Sequence, residues 1–146
     1  MALRQVSVTR TIPAPPERIF DLLTDPAKHP LLDGSGSVRA ATGANPARLR
    51  MGSTFGMDMR MGAPYRIRNT VVEFEENRLI AWRHFFGHRW RWQLRPAGEG
   101  RTEVTETFDW STARIPRFIE LTRFPAKNKI GIRKTLDHLA GMFGAE

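Results

Sequence analysis

Apolar and polar residues alternate along much of this chain with the period of strands that bury one face. Val6, Val8, Arg10 and Ile12 alternate with Gln5, Ser7, Thr9 and Thr11, which predicts a first strand that Pro13, Pro15 and Pro16 stop. Pro16 suits the first turn of a short helix, where its missing amide would have no partner anyway. Ile19, Phe20, Leu22 and Leu23 give that helix a buried stripe, and Asp25 with Pro26 ends it or starts another brief helix running to Pro30. The run DGSGS at 33–37 predicts a flexible turn before a short strand at 38–42, and Asn45 and Pro46 mark a second turn. Phe55, Met57, Met59 and Met61 form the apolar side of a third strand; Gly62 to Tyr65 turns the chain into a fourth over 66–75. After a turn at Asn77, residues 79–86 make the fifth strand. Trp90, Trp92 and Leu94 share one face of the sixth, while Thr102, Val104, Glu106, Phe108 and Trp110 share one face of the seventh. A short helix within 115–124 is expected to pack Phe118, Ile119 and Leu121 downward, with Pro125 separating it from a long amphipathic helix over 126–143. There Ile132, Leu136, Leu139, Ala140 and Phe143 recur on one helical face.

This order predicts an α+β fold in one domain over 1–146: a curved antiparallel sheet of about seven strands gripping the last helix, with two short helices after the first strand. The segments VSVTRTIPAPPERIFDLLTDPAKHP (6–30), VVEFEENRLIAWRH (71–84), HRWRWQLRP (88–96) and GRTEVTETFDW (100–110) carry a resemblance over nearly the whole chain. It resembles the START-like superfamily, also called SRPBCC or helix-grip proteins, and especially its polyketide cyclase/dehydrase-like branch. The resemblance implies a hydrophobic cavity between the sheet and the terminal helix. These are patterns of strand faces and turns, so they specify a fold and leave the chemistry open.

Composition narrows the classes. The 146 residues suit one domain, and 40% apolar content with nine Phe and four Trp predicts autonomous folding. The absence of cysteine excludes disulfides, thiolate nucleophiles and sulfur-ligated metal centres, and favours an intracellular location. Residues 1–12 hold no signal-peptide run, and no segment approaches the roughly 20 apolar residues of a membrane helix, so a soluble, cytoplasmic protein is expected. A net charge of +8 and a sequence pI near 11.1 favour anionic partners. The basic residues are dispersed, however, so nucleic acid is not the expected partner. No metal or cofactor is expected either: His84 and His88 do not converge in a strand and turn, GSGS at 34–37 lacks the Gly-Lys-Ser/Thr of a phosphate loop, and no GxSxG occurs.

The expected pocket walls are Met57, Met59, Met61, Trp82, Trp90, Trp92, Phe108, Ile132 and Leu136, with His84 as the polar, orienting group. A three-residue turn at Phe86–His88 pairs Phe85 with Arg89, setting His84 opposite Trp90 and Trp82 opposite Trp92. A loop at Pro96–Gly100 pairs Arg95 with Arg101 and Trp90 with Glu106, so that His84 and Glu106 flank Trp90. These two groups then either orient a ligand or move a proton as a general base, or His84 is a core histidine satisfied by Glu106. His29, Asp33 and Ser35, near the expected pocket mouth, form a second candidate proton-transfer set or simply a turn. Asp58, Arg60 and Asp109 are expected to face solvent.

Three functions follow in order. The first is binding of a hydrophobic small molecule, lipid-like or polycyclic. The second, implied by the resemblance, is a cyclase or dehydratase of aromatic-polyketide type in the same cavity. The third is an interaction module using a basic outer sheet face built from Arg66, Arg68, Arg89, Arg91 and Arg95. Homodimerisation is left open.

Overall fold

The computed structural model describes residues 4–34, 38–42, 45–61, 63–84 and 86–144. Seven strands form one antiparallel sheet in the order β1-β7-β6-β5-β4-β3-β2. They are β1 (Gln5–Ile12), β2 (Val38–Thr42), β3 (Thr54–Met61), β4 (Ala63–Glu75), β5 (Leu79–Arg83), β6 (Arg89–Pro96) and β7 (Thr102–Asp109). Helices α1 (Pro16–Leu23) and α2 (His29–Leu32) follow β1, with a 3-10 turn at Pro26–Lys28 between them. Helices α3 (Pro116–Leu121) and α4 (Phe124–Met142) follow β7. The α+β helix-grip expectation is met, and α4 packs chiefly on β1 and β7.

Local rules set most boundaries. Asp25 accepts the Ala27 amide at 3.1 Å and so starts the 3-10 turn in front of α2. Asn77 takes a positive φ of 61° in the β4–β5 turn. Register slips at Val71/Glu73 on β4 and Val38/Ala40 on β2 mark bulges, which bend strands and strengthen twist. That bending carries the sheet around α4.

Several boundaries differ from the expectation. The β3–β4 turn is tighter than Gly62–Tyr65: Met61 pairs with Ala63, while Gly62 itself lies outside the described residues. Strand β5 stops at Arg83 because the hairpin begins at His84. Pro125 does not separate two elements; it occupies the first turn of α4, the one place a helix tolerates its missing amide. Of the three α3 residues expected to pack downward, Ile119 is buried, but Phe118 and Leu121 are exposed.

The core draws Ile12, Ile19, Phe20 and Leu23 from one end of the chain and Leu136, Leu139 and Ala140 from α4, with Ile80, Leu94 and Val104 of the sheet between them. On the outer face, Arg91 reaches Glu73 at 2.8 Å and Asp109 at 3.1 Å, and Arg89 reaches Glu73 at 2.8 Å. Glu73 and Arg91 sit on strands separated by β5, where Ala81 pairs with both. So small a side chain leaves the ion pair room to close over it. Asp109, expected in solvent, is therefore buried, and it also accepts the Ser111 amide and hydroxyl. Asp58 behaves as expected, pairing with Arg66 at 3.0 Å on the exposed side.

Candidate functional site

The inward rows of the sheet build one wall of a cavity. Val6, Phe108, Trp90, Trp82 and Val71 pair successively from β1 to β4, and Val8, Glu106, Trp92 and Ile80 form the next row. Helices α2, α3 and α4 complete the enclosure of about 720 Å³. Ligand sites in proteins run from about 300 to about 1,000 Å³, so this space is far too large for a packing defect.

Met57, Met59, Trp82, His84, Trp90, Trp92, Phe108 and Ile132 all line it. Leu136 does not; one turn beyond Ile132, it packs into the solid core and is 1% exposed. The Met61 side chain lies outside the described residues. Sequence reasoning missed Phe55, Tyr65, Ile67 and Asn69 as lining groups. Their shared parity with the methionines through the β3–β4 pairing was the available signal.

Both hairpins pair two residues away from the expected register. Trp82 opposes Trp90, and Ile80 opposes Trp92. The His84 amide donates to the His88 carbonyl and the Gly87 amide to the His84 carbonyl, both at 3.0 Å, so the loop lies between His84 and His88. Gly87, at φ 94°, fills its last position, where a left-handed residue closes such a hairpin. Phe85, expected opposite Arg89, lies outside the described residues, and Arg89 pairs with Arg83. Likewise Pro96 pairs with Thr102, Arg95 with Glu103, Trp90 with Phe108 and Trp92 with Glu106. A shift of two preserves which face each side chain occupies.

Separation is what changes. His84 stands level with His88, four residues along β6 from the Trp92–Glu106 pair, about 13 Å of strand. The expected His84–Glu106 arrangement around Trp90 is thus replaced by two distinct polar ends.

At one end the His84 and His88 rings lie 4.5 Å apart. Burial, and then the neighbouring His88 charge, lowers the His84 pKa to about 3; burial lowers that of His88 to about 4. Both imidazoles are neutral at pH 7. The hairpin carrying them is latched by Thr112, whose hydroxyl donates to the Gly87 carbonyl at 2.6 Å, and by the Arg114 amide, which donates to the Phe86 carbonyl at 2.8 Å.

At the other end burial, reinforced by the charge of Asp33, pushes the Glu106 carboxyl well above its ordinary range. Asp33 accepts the Val38 amide at 3.1 Å and the Thr135 hydroxyl at 3.2 Å, which ties the segment after α2 to α4. Trp92 Nε1, Glu106 Oε1, Asn69 Oδ1 and His88 Nδ1 are buried with no hydrogen-bond partner among the described residues. All four belong to lining residues. Buried polar atoms are normally paired, and leaving one unpaired costs about 1–3 kcal/mol.

His29 and Asp33 both line the cavity, and Asp33 lies near enough for its charge to act on the His29 ring against the larger effect of burial. His29 Nε2 bonds the Leu23 carbonyl at 2.7 Å, and its ring stacks on Trp82 at 4.9 Å and meets Phe55 edge-on at 5.3 Å. Burial lowers its pKa. His29 is a wall group held by backbone, and Ser35 lies outside the described residues.

The profile of the family described as polyketide cyclase/dehydrase and lipid transport matches residues 4–143. The chain belongs to that family. Within it, an uncharacterized protein of Mycobacterium tuberculosis, Rv0088, is 39% identical over 144 residues, covering 95% of this chain and 64% of that protein. This chain therefore spans about two thirds of the length of its curated relative. Among solved structures, the fold is shared with a protein from Arthrobacter aurescens (TM-score 0.75, 13% identity, 97% of this chain and 86% of that one). It is shared too with Ms6760 from Mycobacterium smegmatis (TM-score 0.71, 15% identity, 96% and 90% covered). The Aha1 dimer from Colwellia psychrerythraea also matches (TM-score 0.68, 21% identity, 95% of each chain covered). A family described by polyketide cyclisation and lipid transport fits the apolar lining of this cavity. Among the described residues no helix of this family member is long and apolar enough to cross a membrane.

Proposed function

We propose that this chain binds one apolar small molecule, polycyclic or lipid-like, that carries an uncharged oxygen. The observation that supports this most is the cavity itself: about 720 Å³, walled by indoles, Phe55, Phe108 and thioethers, with unpaired polar atoms on its lining. Met57 and Met59 can reshape around ligands of different outline. Trp92 Nε1–H is a donor, and Glu106, whose carboxyl burial pushes toward its protonated form, offers a second in that form across the β6–β7 pair. Two donors on paired residues of the lining suit a carbonyl or hydroxyl oxygen. A carboxylate at that position meets the Asp33 charge and is disfavoured.

Solvent extraction of the purified protein, followed by mass spectrometry, tests this reading. An apolar, neutral oxygen-bearing compound at about one per chain is expected. A matched series of ketone, alcohol and carboxylate on one polycyclic body then orders the affinities, with the carboxylate weakest. Failure of all members to bind or to raise the melting temperature overturns the reading.

One observation favours a second reading, a cyclase or dehydratase. Burial and the neighbouring Asp33 push the Glu106 carboxyl well above its ordinary range, the direction a general acid needs. The cavity would hold a folded reactive chain while Glu106 gives its proton to a carbonyl oxygen. On this reading Glu106→Gln retains binding but loses turnover by about 10²–10⁴-fold. Intact turnover removes the assignment.

A further inference from the structure

The cations behind the net charge of +8 are unevenly spread. On the outer sheet, Arg66, Arg89, Arg91 and Arg95 are each matched to a carboxylate, while Arg68 meets only the Thr54 hydroxyl at 3.3 Å among the described residues, so most of that face's positive charge is paired. Residues 114–134 instead carry seven lysines and arginines against Glu120 alone, a net of +6. All seven cations are exposed, and Glu120 is taken by Arg4 at 2.7 Å and by Trp110 Nε1 at 3.2 Å.

Among these cations stand Ile115, Phe118 and Ile130, each more than half exposed, and Leu121, which is 87% exposed. Ile115, Phe118 and Ile130 also line the cavity. The apolar tips and the basic residues thus form one rim on α3 and the first turns of α4, and that rim is the cavity mouth. A cluster of exposed apolar side chains ringed by charge marks a contact surface.

We propose that the α3–α4 rim docks on an anionic lipid surface, with Phe118, Leu121 and Ile130 entering the interfacial layer and the surrounding cations meeting lipid headgroups. The two features act together, as in interfacial helices: apolar area gives insertion, and each lysine or arginine near the surface adds about a five-fold gain. A second copy of this chain is a poorer occupant, because a two-fold contact sets +6 against +6. Single-stranded RNA is poorer too, because Phe118 is the one aromatic among these four tips, and aliphatic groups offer no stacking face. A docked rim opens the cavity toward the bilayer, giving an apolar ligand a route that avoids water. That use rests on the ligand-binding reading; the docking does not.

Co-sedimentation of the full chain with vesicles tests it. Phosphatidylcholine vesicles containing about 30% phosphatidylglycerol are expected to bind at least about 10-fold more tightly than phosphatidylcholine alone. Raising salt from about 0.05 M to about 0.5 M should weaken that binding about 10-fold. Leu121→Glu and, separately, Arg117→Glu should each reduce vesicle binding about 10-fold. Neither residue lines the cavity, so both variants should bind a neutral apolar fluorophore like the parent. Equal binding to both vesicle types, unchanged partition of both variants, or binding to RNA or to itself in place of vesicles overturns the proposal. A parent that binds vesicles but no fluorophore sinks the cavity reading and leaves the docking intact; the opposite result does the reverse.

Discussion

His84 and His88 make acid sensitivity a property of named side chains. Both have folded pKa values, about 3 and about 4, below the ordinary 6.5. Their contribution to stability is complete above pH 6.5 and is lost as pH falls, since the unfolded chain then binds protons the folded one refuses. At pH 5 this favours unfolding by about 2 kcal/mol for His84 alone, or roughly 4–8 °C in melting temperature. A His84→Gln variant should lose correspondingly less between about pH 7 and pH 5 in calorimetry. Glu106 acts with the opposite sign. Its folded pKa lies above the ordinary 4.5, so its contribution is present below that value and fades as pH rises through the folded one. Glu106→Gln should therefore hold its melting temperature better than the parent as pH rises above the ordinary carboxyl value. A steeper decline in the variant contradicts a buried, protonated carboxyl.

At the scale of elements, the junction of α2 with α4 shapes the Glu106 end of the cavity. A Cβ at Gly34 would lie 2.4 Å from the Lys134 carbonyl oxygen and 2.8 Å from the Thr135 nitrogen, both backbone atoms of α4. The glycine serves close approach, and its amide donates to the Thr135 hydroxyl at 3.0 Å. Gly34→Ala should cost about 1–3 kcal/mol in denaturant unfolding, because backbone cannot step aside as a side-chain tip would. From sequence this glycine read as part of a flexible turn, since nothing local reveals a helix 100 residues away. Strand faces were legible, because alternation reports which side of a sheet is buried. Register was not: Gly87 marked a hairpin without saying that it fills the loop's last position, and each pairing slid by two. The inward set survived that slide while the His84–Glu106 proximity did not. Phe118 and Leu121 show a related limit, as apolar spacing in a one-turn helix does not distinguish a core face from an exposed rim. Asp109 was misplaced because its partner Arg91 lies on another strand.

Across the whole molecule, charge and cavity are arranged about one opening. Four outer-sheet arginines, Arg66, Arg89, Arg91 and Arg95, are paired with carboxylates, a net of +6 gathers over residues 114–134 at the α3–α4 rim, and the cavity behind that rim ends in the Trp92–Glu106 and His84–His88 groups. On the proposed reading this container takes a hydrophobic ligand whose oxygen lies against the Trp92–Glu106 pair. The central claim is that the space under α4 holds one apolar guest, and fluorescence titration with a neutral polycyclic probe tests it most directly. Saturable quenching of the cavity indoles at one probe per chain, weakened when Met57→Ala and Met59→Ala remove wall contacts, is the predicted result. Absence of saturable binding, or equal binding by the wall variants, contradicts it.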